Sequence, residues 1–180
     1  DWKTHVDVNY RIYNTTVHAD RQLTYNHNVA GEPYIYNSTS YVSEDMTKEN
    51  YLNFNVYTEY SQQLESGHNF KGMFGFQSEL MKKKYTFLQR NGIIVPGLPE
   101  GDITSGVDIN GNPITPTING SSDHWATAGF FGRINYDYQG KYLAEVNLRY
   151  DGTSRFRSSE RWNLFPSFSV GWNIARESFW

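Results

Sequence analysis

The chain has 180 residues, of which 38% are hydrophobic and 17% aromatic, with a net charge of −3, a pI near 5.9 and no cysteine. So many aromatic residues argue against disorder, the acidic balance leaves no basic field for nucleic acid, and the missing cysteines exclude a disulfide framework and thiolate metal sites. No stretch reaches the ~18 apolar residues of a membrane helix. The start, "DWKTHVDVNY", lacks the basic flank and apolar run of a secretion signal. It opens inside a strand-like alternation without methionine, so a piece of a larger protein is expected.

Six stretches alternate with period two, the mark of a strand whose two faces meet different surroundings. In the first, Trp2, Val6, Val8, Tyr10 and Ile12 oppose Lys3, His5, Asp7, Asn9 and Arg11. The second, 51–62, sets Leu52, Phe54, Val56 and Tyr60 against Asn53, Asn55 and Glu59. The third, 68–81, sets Phe70, Phe74, Phe76 and Leu80 against Asn69, Lys71, Gln77 and Glu79. In the fourth, 127–138, Phe130, Ile134, Tyr136 and Tyr138 oppose Arg133, Asn135 and Asp137. The fifth, 141–151, opposes Tyr142, Val146, Leu148 and Tyr150 to Glu145, Asn147, Arg149 and Asp151. In the sixth, 162–175, Trp162, Leu164, Phe168, Val170, Trp172 and Ile174 face away from Asn163, Ser167, Ser169 and Asn173.

The connections alternate between long and short. Segments 14–50 and 82–126 read as long loops and 152–161 as a shorter one, whereas "QLESG" and "QG" are tight turns. Loops above ~12–15 residues are uncommon in compact domains, but outer-membrane barrels combine short periplasmic turns with long extracellular loops. A barrel strand needs ~9–11 residues to cross, which these stretches supply. The expected fold is all-β: an antiparallel transmembrane β-barrel segment whose apolar face meets lipid and whose polar face lines a wet lumen. Changing Val146 to arginine is then expected to cost far more than changing Asn147. A secreted or surface β-sandwich that binds glycan through aromatic loops shows the same alternation and remains the competing reading.

"AGFFGRINYDYQGKYLAEVNLRYDGTSRF" and "RWNLFPSFSVGWNIARESFW" resemble the barrel region of the SusC/RagA family of TonB-dependent outer-membrane transporters. The shared positions run from Phe131, Gly132 and Arg133 through Asp151, Gly152, Ser154, Arg155 and Phe156 to Phe165, Pro166, Gly171, Trp172 and Glu177. Upstream, "YLNFNVYTEYSQQLESGHNFKGMFGFQSE" is similar to a preceding hairpin of that family, and Thr153 stands where the family usually has serine. The resemblance implies a plugged barrel of 22 strands, of which 1–180 would be a part without the plug or the TonB-contacting region. It further implies import of glycans or oligopeptides across a bacterial outer membrane, energy from TonB, and a SusD-like surface lipoprotein as lid. A siderophore-type receptor would share the barrel but usually lacks the "DGTSRF" and "FPS" stretches.

Candidate residues follow from both readings. Arg133, Asn135, Asp137, Glu145, Asn147 and Arg149 are expected to face the lumen, in cross-strand pairs or against the plug. Asp151, Arg155 and Arg157, with Glu160 and Arg161, are read as a salt-bridged loop at the rim, with contact to cargo or lid as the sharper alternative; Trp125 belongs with them. Tyr34 and Tyr36 would stack on sugar rings or form a local hairpin, the hairpin being the simpler reading. Asp108, Asn110 and Asn112 mimic a calcium loop, but Pro113 replaces the required glycine and Asn119 the closing glutamate. The five histidines lack ligand spacing, and no catalytic motif is present. No metal, no cofactor and no enzymatic activity are expected.

Overall fold

The computed structural model describes all 180 residues. Eight strands succeed one another: β1 (Trp2–Arg21), β2 (Thr24–His27), β3 (Pro33–Asn37), β4 (Tyr41–Gln63), β5 (His68–Asn91), β6 (Thr117–Tyr138), β7 (Tyr142–Thr153) and β8 (Trp162–Trp172). Six of them form one antiparallel sheet in the order β1-β4-β5-β6-β7-β8, while β2 and β3 pair only with each other. Each long strand lies beside its successor, so the sheet is a meander interrupted once by the small hairpin. It is open at β1 and at β8.

Several expectations change. The stretches 14–50 and 82–126 are not loops throughout, because β1, β4, β5 and β6 run on into them and reach 20, 23, 24 and 22 residues. Residues 24–37 form the β2–β3 hairpin, and the remaining long connection, 92–116, holds only two isolated bridges, Ile93 with Thr104 and Val107 with Pro113. β8 stops at Trp172, and Ile174 lies in a short 3-10 turn. Gly152, expected to open the 152–161 loop, lies with Asp151 inside β7, paired on both sides.

The chain divides into two compact units. The first comprises Asp1–Arg11, Asn50–Lys82 and His124–Trp180. Its strands turn back through Leu64–Gly67 and through Gln139–Gly140, where both residues have positive φ (55° and 65°) and the Lys141 amide donates to the Tyr138 carbonyl at 2.9 Å. Two central residues at positive φ make the mirror-image turn whose twist suits a two-residue hairpin. The second unit, Ile12–Glu49 and Lys83–Asp123, carries the β2–β3 hairpin and the 92–116 connection. There the Gly92 amide donates to the Ser40 carbonyl and the Ser105 amide to the Gly92 carbonyl.

A core in the soluble sense is missing. Val42 is the one buried hydrophobic residue, and Phe168 and Val170 are each 85% exposed. A sandwich would cover that face with a second sheet, and the only other sheet is the two-stranded hairpin. The aromatic face is open along its whole width, which answers the sandwich reading.

Candidate functional site

Register decides which side chains share a face. β6 and β7 pair Phe130 with Tyr150, Ile134 with Val146, Tyr136 with Ala144 and Tyr138 with Tyr142. β7 and β8 continue the same face by pairing Tyr150 with Leu164, Val146 with Phe168, Ala144 with Val170 and Tyr142 with Trp172. Ring contacts knit it sideways: Phe74 and Phe76 meet Phe130 at 6.5 and 5.0 Å, Phe70 meets Tyr136 at 5.1 Å, and Trp2 meets Tyr60 at 5.8 Å. A one-residue slip in any strand would swap both faces, so the continuous apolar face fixes the register.

The opposite face carries the six residues expected in the lumen, and it links them differently from simple cross-strand ion pairs. Arg133 stands opposite Asn147 and donates from Nε to its Oδ1 at 2.6 Å; Glu145 is 3.9 Å from the same nitrogen. Glu145 accepts from Asn135 at 2.6 Å and from Asn147 at 2.7 Å. Asp137, opposite Leu143, accepts from Asn69 of β5 at 2.7 Å and from the Gly140 amide at 3.1 Å. Arg149 donates twice to Asp151 on its own strand, both at 3.0 Å. The result is a hydrogen-bonded amide and carboxylate lattice in which no cation directly opposes an anion.

Two rows of rings cross that polar face, and period-two reading alone overlooked them. His5 stacks on Tyr57 at 4.6 Å, Tyr57 lies 6.5 Å from Phe131, and the Arg149 guanidinium sits 5.6 Å over Phe131. Gly75 lies between Tyr57 and Phe131, and a Cβ there would collide with both. The second row runs from Arg11 over Tyr51 (5.2 Å), through Tyr51 to Trp125 (6.5 Å), to Arg155 over Trp125 (5.2 Å). Trp125 also donates from Nε1 to Met81 Sδ at 2.9 Å. The signal was available as aromatic residues in the polar half of each alternation.

The rim motif divides in two. Arg149 and Asp151 form a brace, and Gly129 across from Asp151 leaves it room, since a Cβ there would collide with Asp151 Oδ1. Tyr150 and Trp162 stack at 5.0 Å on the apolar face. Beyond the strand, no ion pair holds Arg155, Arg157, Glu160 or Arg161, contrary to the salt-bridged loop expected there. Backbone and hydroxyl bonds do the work instead. The Ser154 amide donates to the Ala126 carbonyl at 2.9 Å, the Ala126 amide to Ser154 Oγ at 2.8 Å, and Arg161 Nε to the Phe156 carbonyl at 3.1 Å. A cavity of about 260 Å³ opens beside this brace, lined among others by Gln77, Glu79, Arg161, Asn163 and Phe165.

The remaining candidates lie elsewhere. Tyr34 and Tyr36 are exposed on β3 in the second unit. Asp108 turns its carboxylate inward on its own loop, accepting from the amides of Asn110 and Asn112 at 2.8 Å each and from Asn112 Nδ2 at 3.0 Å. No group of three or more histidine, aspartate or glutamate side chains is placed to hold a metal ion. At the short-turn end, Glu177 accepts from Tyr142 (2.7 Å), Trp172 (3.1 Å) and Lys141 (3.2 Å), tying the segment after β8 to the start of β7.

A single sheet of long antiparallel strands, aromatic on one face and hydrogen-bonded polar on the other, is the wall of a membrane-spanning β-barrel. The chain belongs to the TonB dependent receptor-like, beta-barrel family, whose model matches residues 1–178. It is 46% identical over 50 residues to the TonB-dependent receptor SusC of Bacteroides thetaiotaomicron, a match covering 28% of this chain and 5% of that protein. A TonB-dependent receptor of Formosa agariphila is 28% identical over 135 residues, covering 75% of this chain and 12% of the relative. Among solved structures, the RagAB peptide importer superposes in its open-open state with a TM-score of 0.79 at 18% identity, over 94% of this chain and 17% of the other. Its closed-closed state gives 0.82 at 17% identity, over 99% and 18%. The matched stretches thus cover only 5% and 12% of the length of these two curated relatives, so the chain spans only a small part of either. The sheet is a section of an outer-membrane β-barrel, open because it is only part of the wall.

Proposed function

We propose that the whole protein containing this wall imports large nutrients, glycans or oligopeptides, across the outer membrane with energy from TonB and a SusD-like surface lipoprotein as partner. The observation that carries the reading is the uninterrupted pairing of an aromatic face with a polar one across β6, β7 and β8, which suits lipid outside and a wet passage inside. The family match and the SusC identity support it. The RagAB complex, whose fold this sheet shares, is described as a peptide importer, which keeps oligopeptides beside glycans as cargo. The "DGTSRF" and "FPS" stretches, which siderophore-type receptors usually lack, favour nutrient polymers over siderophores.

In this reading the turns at Leu64–Gly67 and Gln139–Gly140 are periplasmic, and the connections 22–40, 92–116 and 154–161 are extracellular. Arg133, Asn135, Asp137, Glu145, Asn147 and Arg149 line the lumen or meet the plug. Asp151 braces the rim, and Trp125, Arg155, Arg157, Tyr34 and Tyr36 are placed for cargo or lid. No catalytic role is assigned to any residue.

Protease added outside intact cells is expected to cut within 92–116 of the full-length protein and to leave 127–172 protected in the outer-membrane fraction. Deleting the gene is expected to abolish uptake of one polymeric nutrient, and the full-length gene to restore it. Cleavage spread evenly over strands and connections, or uptake indifferent to the gene, overturns the proposal.

A further inference from the structure

Arg155 is placed more firmly than an ordinary loop arginine. Its amide donates to Thr153 Oγ1 at 3.3 Å, and its neighbour Ser154 is bonded in both directions to Ala126. Its guanidinium lies 5.2 Å over Trp125, itself fixed by Met81. Yet it makes no ion pair, nor does Arg157, and from 154 to 161 the acid count is one, Glu160, against Arg155, Arg157 and Arg161. A guanidinium held over a ring and free of any ion pair can still meet a carboxylate with two parallel bonds.

Building on the import reading, we propose that the Trp125–Arg155 plate is a cargo subsite for an acidic saccharide, a sugar unit bearing a carboxylate such as a hexuronate. Charge complementarity points to the anion, because Arg149 is already neutralised by Asp151 whereas Arg155 is not. Neighbouring chemistry points to a sugar. Phe156, next in the chain, is 57% exposed and lines a neighbouring 260 Å³ cavity that Arg155 and Trp125 do not themselves line, where Gln77, Thr127 and Asn163 lie beside the charged Glu79, Asp151 and Arg161. Amides and hydroxyls both donate and accept, as sugar hydroxyls require, and a ring face suits the C–H side of a pyranose. An acidic peptide would also seek backbone partners, and β4 to β7 have none to spare, since each is paired on both edges.

The test uses full-length protein in detergent and calorimetric binding of hexamers of galacturonate, glucuronate and mannuronate, of the methyl ester of each, and of hexaglutamate. At least one uronate hexamer is expected to bind, its ester to bind at least about tenfold more weakly, and Arg155→Gln to cost the acid form about tenfold, the scale of one lost charge-assisted bond. Arg155→Lys should recover part of that loss, with the heat-dependent gel shift of the folded barrel unchanged in both variants. Failure of every uronate to bind, esters that bind as well as acids, hexaglutamate binding more tightly than all of them, or indifference to Arg155→Gln each overturns the inference. Gene-dependent uptake of some other polymer in the same strain would leave the import reading standing, while uptake independent of the gene would remove both.

Discussion

β1, β4, β5 and β6 each belong to both compact units, and their two halves are built on different rules. In the first unit, Trp2, Val6, Val8 and Tyr10 alternate with His5, Asp7 and Asn9, and Phe70, Phe74 and Phe76 with Lys71 and Gln77. Past Ile12 the alternate positions of β1 that had been apolar are Asn14, Thr16, His18 and Asp20; past Leu80 those of β5 begin with Lys82 and Lys84. Pairing nevertheless continues, held in the second unit by contacts such as His18 Nδ1 to Glu44 Oε1 at 2.5 Å, Ser43 Oγ to the Ala19 carbonyl at 3.3 Å and Tyr85 Oη to Asp45 at 3.2 Å. The backbone ladder asks nothing of the side chains. Alternation does not end there but shifts by one, to Tyr13, Val17 and Ala19 in β1 and to Met81, Tyr85 and Phe87 in β5, so the two halves carry their apolar residues on opposite positions.

That contrast is most directly broken by one substitution made in each half of β1. Val8→Arg places a charge in the aromatic band and is expected to destabilise the full-length barrel in lipid vesicles by ~2–4 kcal/mol. Thr16→Arg, eight residues further along the same strand, is expected to stay within ~0.5 kcal/mol. Equal costs in reversible denaturant unfolding would mean that the two halves share one environment.

The companion pair compares faces instead of halves. Val146 lies on the aromatic face of β7, and Asn147 faces Arg133 and Glu145. Val146→Arg should again cost ~2–4 kcal/mol near the midplane, and Asn147→Arg much less, because its new charge enters a hydrated lattice. The reverse order in vesicle-refolding experiments would invert the sheet.

A smaller effect sharpens the role of the rim motif. Gly129→Ala forces a methyl group into Asp151 Oδ1 and should cost ~1–3 kcal/mol, the usual scale of overpacking. In an Asp151→Ala background the obstacle is gone, so the same change should cost clearly less, and the double-mutant cycle reads the difference. A cost that stays constant across the two backgrounds would show that the brace is not why glycine stands there.

The six paired strands of the first unit were legible in the sequence because lipid on one side and polar contacts on the other impose period two. Their continuations were read as loops because Thr16, His18, Lys48, Lys84 and Ser122 break the phase of that alternation. Arg133, Asn135, Asp137, Glu145, Asn147 and Arg149 share one face of the sheet, since face is a matter of counting by two. Their partners did not follow from counting: Arg133 chose Asn147, and Arg149 chose Asp151 on its own strand, choices set by register and side-chain reach. The rows through Tyr57, Phe131 and Trp125 stayed hidden because a ring in a polar position looks like an exception until its neighbours on adjacent strands are known.

The second unit's 92–116 connection provides the most modest test, through pH. Asp108 is held below the usual carboxylate range, first by the side-chain donor of Asn112, then by the Asn112 amide, with the Asn110 and Gly111 amides adding to it. A folded-state pKa depressed in this way means that the bonds stabilise the turn fully above the ordinary carboxylate value and lose that contribution as pH falls through the folded-state pKa. Amide-exchange protection at Asn110 and Asn112, corrected for intrinsic rates, should therefore be level from neutral pH to the ordinary carboxylate range and decline only below it. Asp108→Asn, which keeps an acceptor but cannot titrate, should lower the plateau and remove the acid step. A step that survives in Asp108→Asn would assign the acid sensitivity to another group. Calcium should leave the plateau where it is, because both Asp108 oxygens already accept from Asn110 and Asn112, and a metal could enter only by displacing donors that the loop itself supplies.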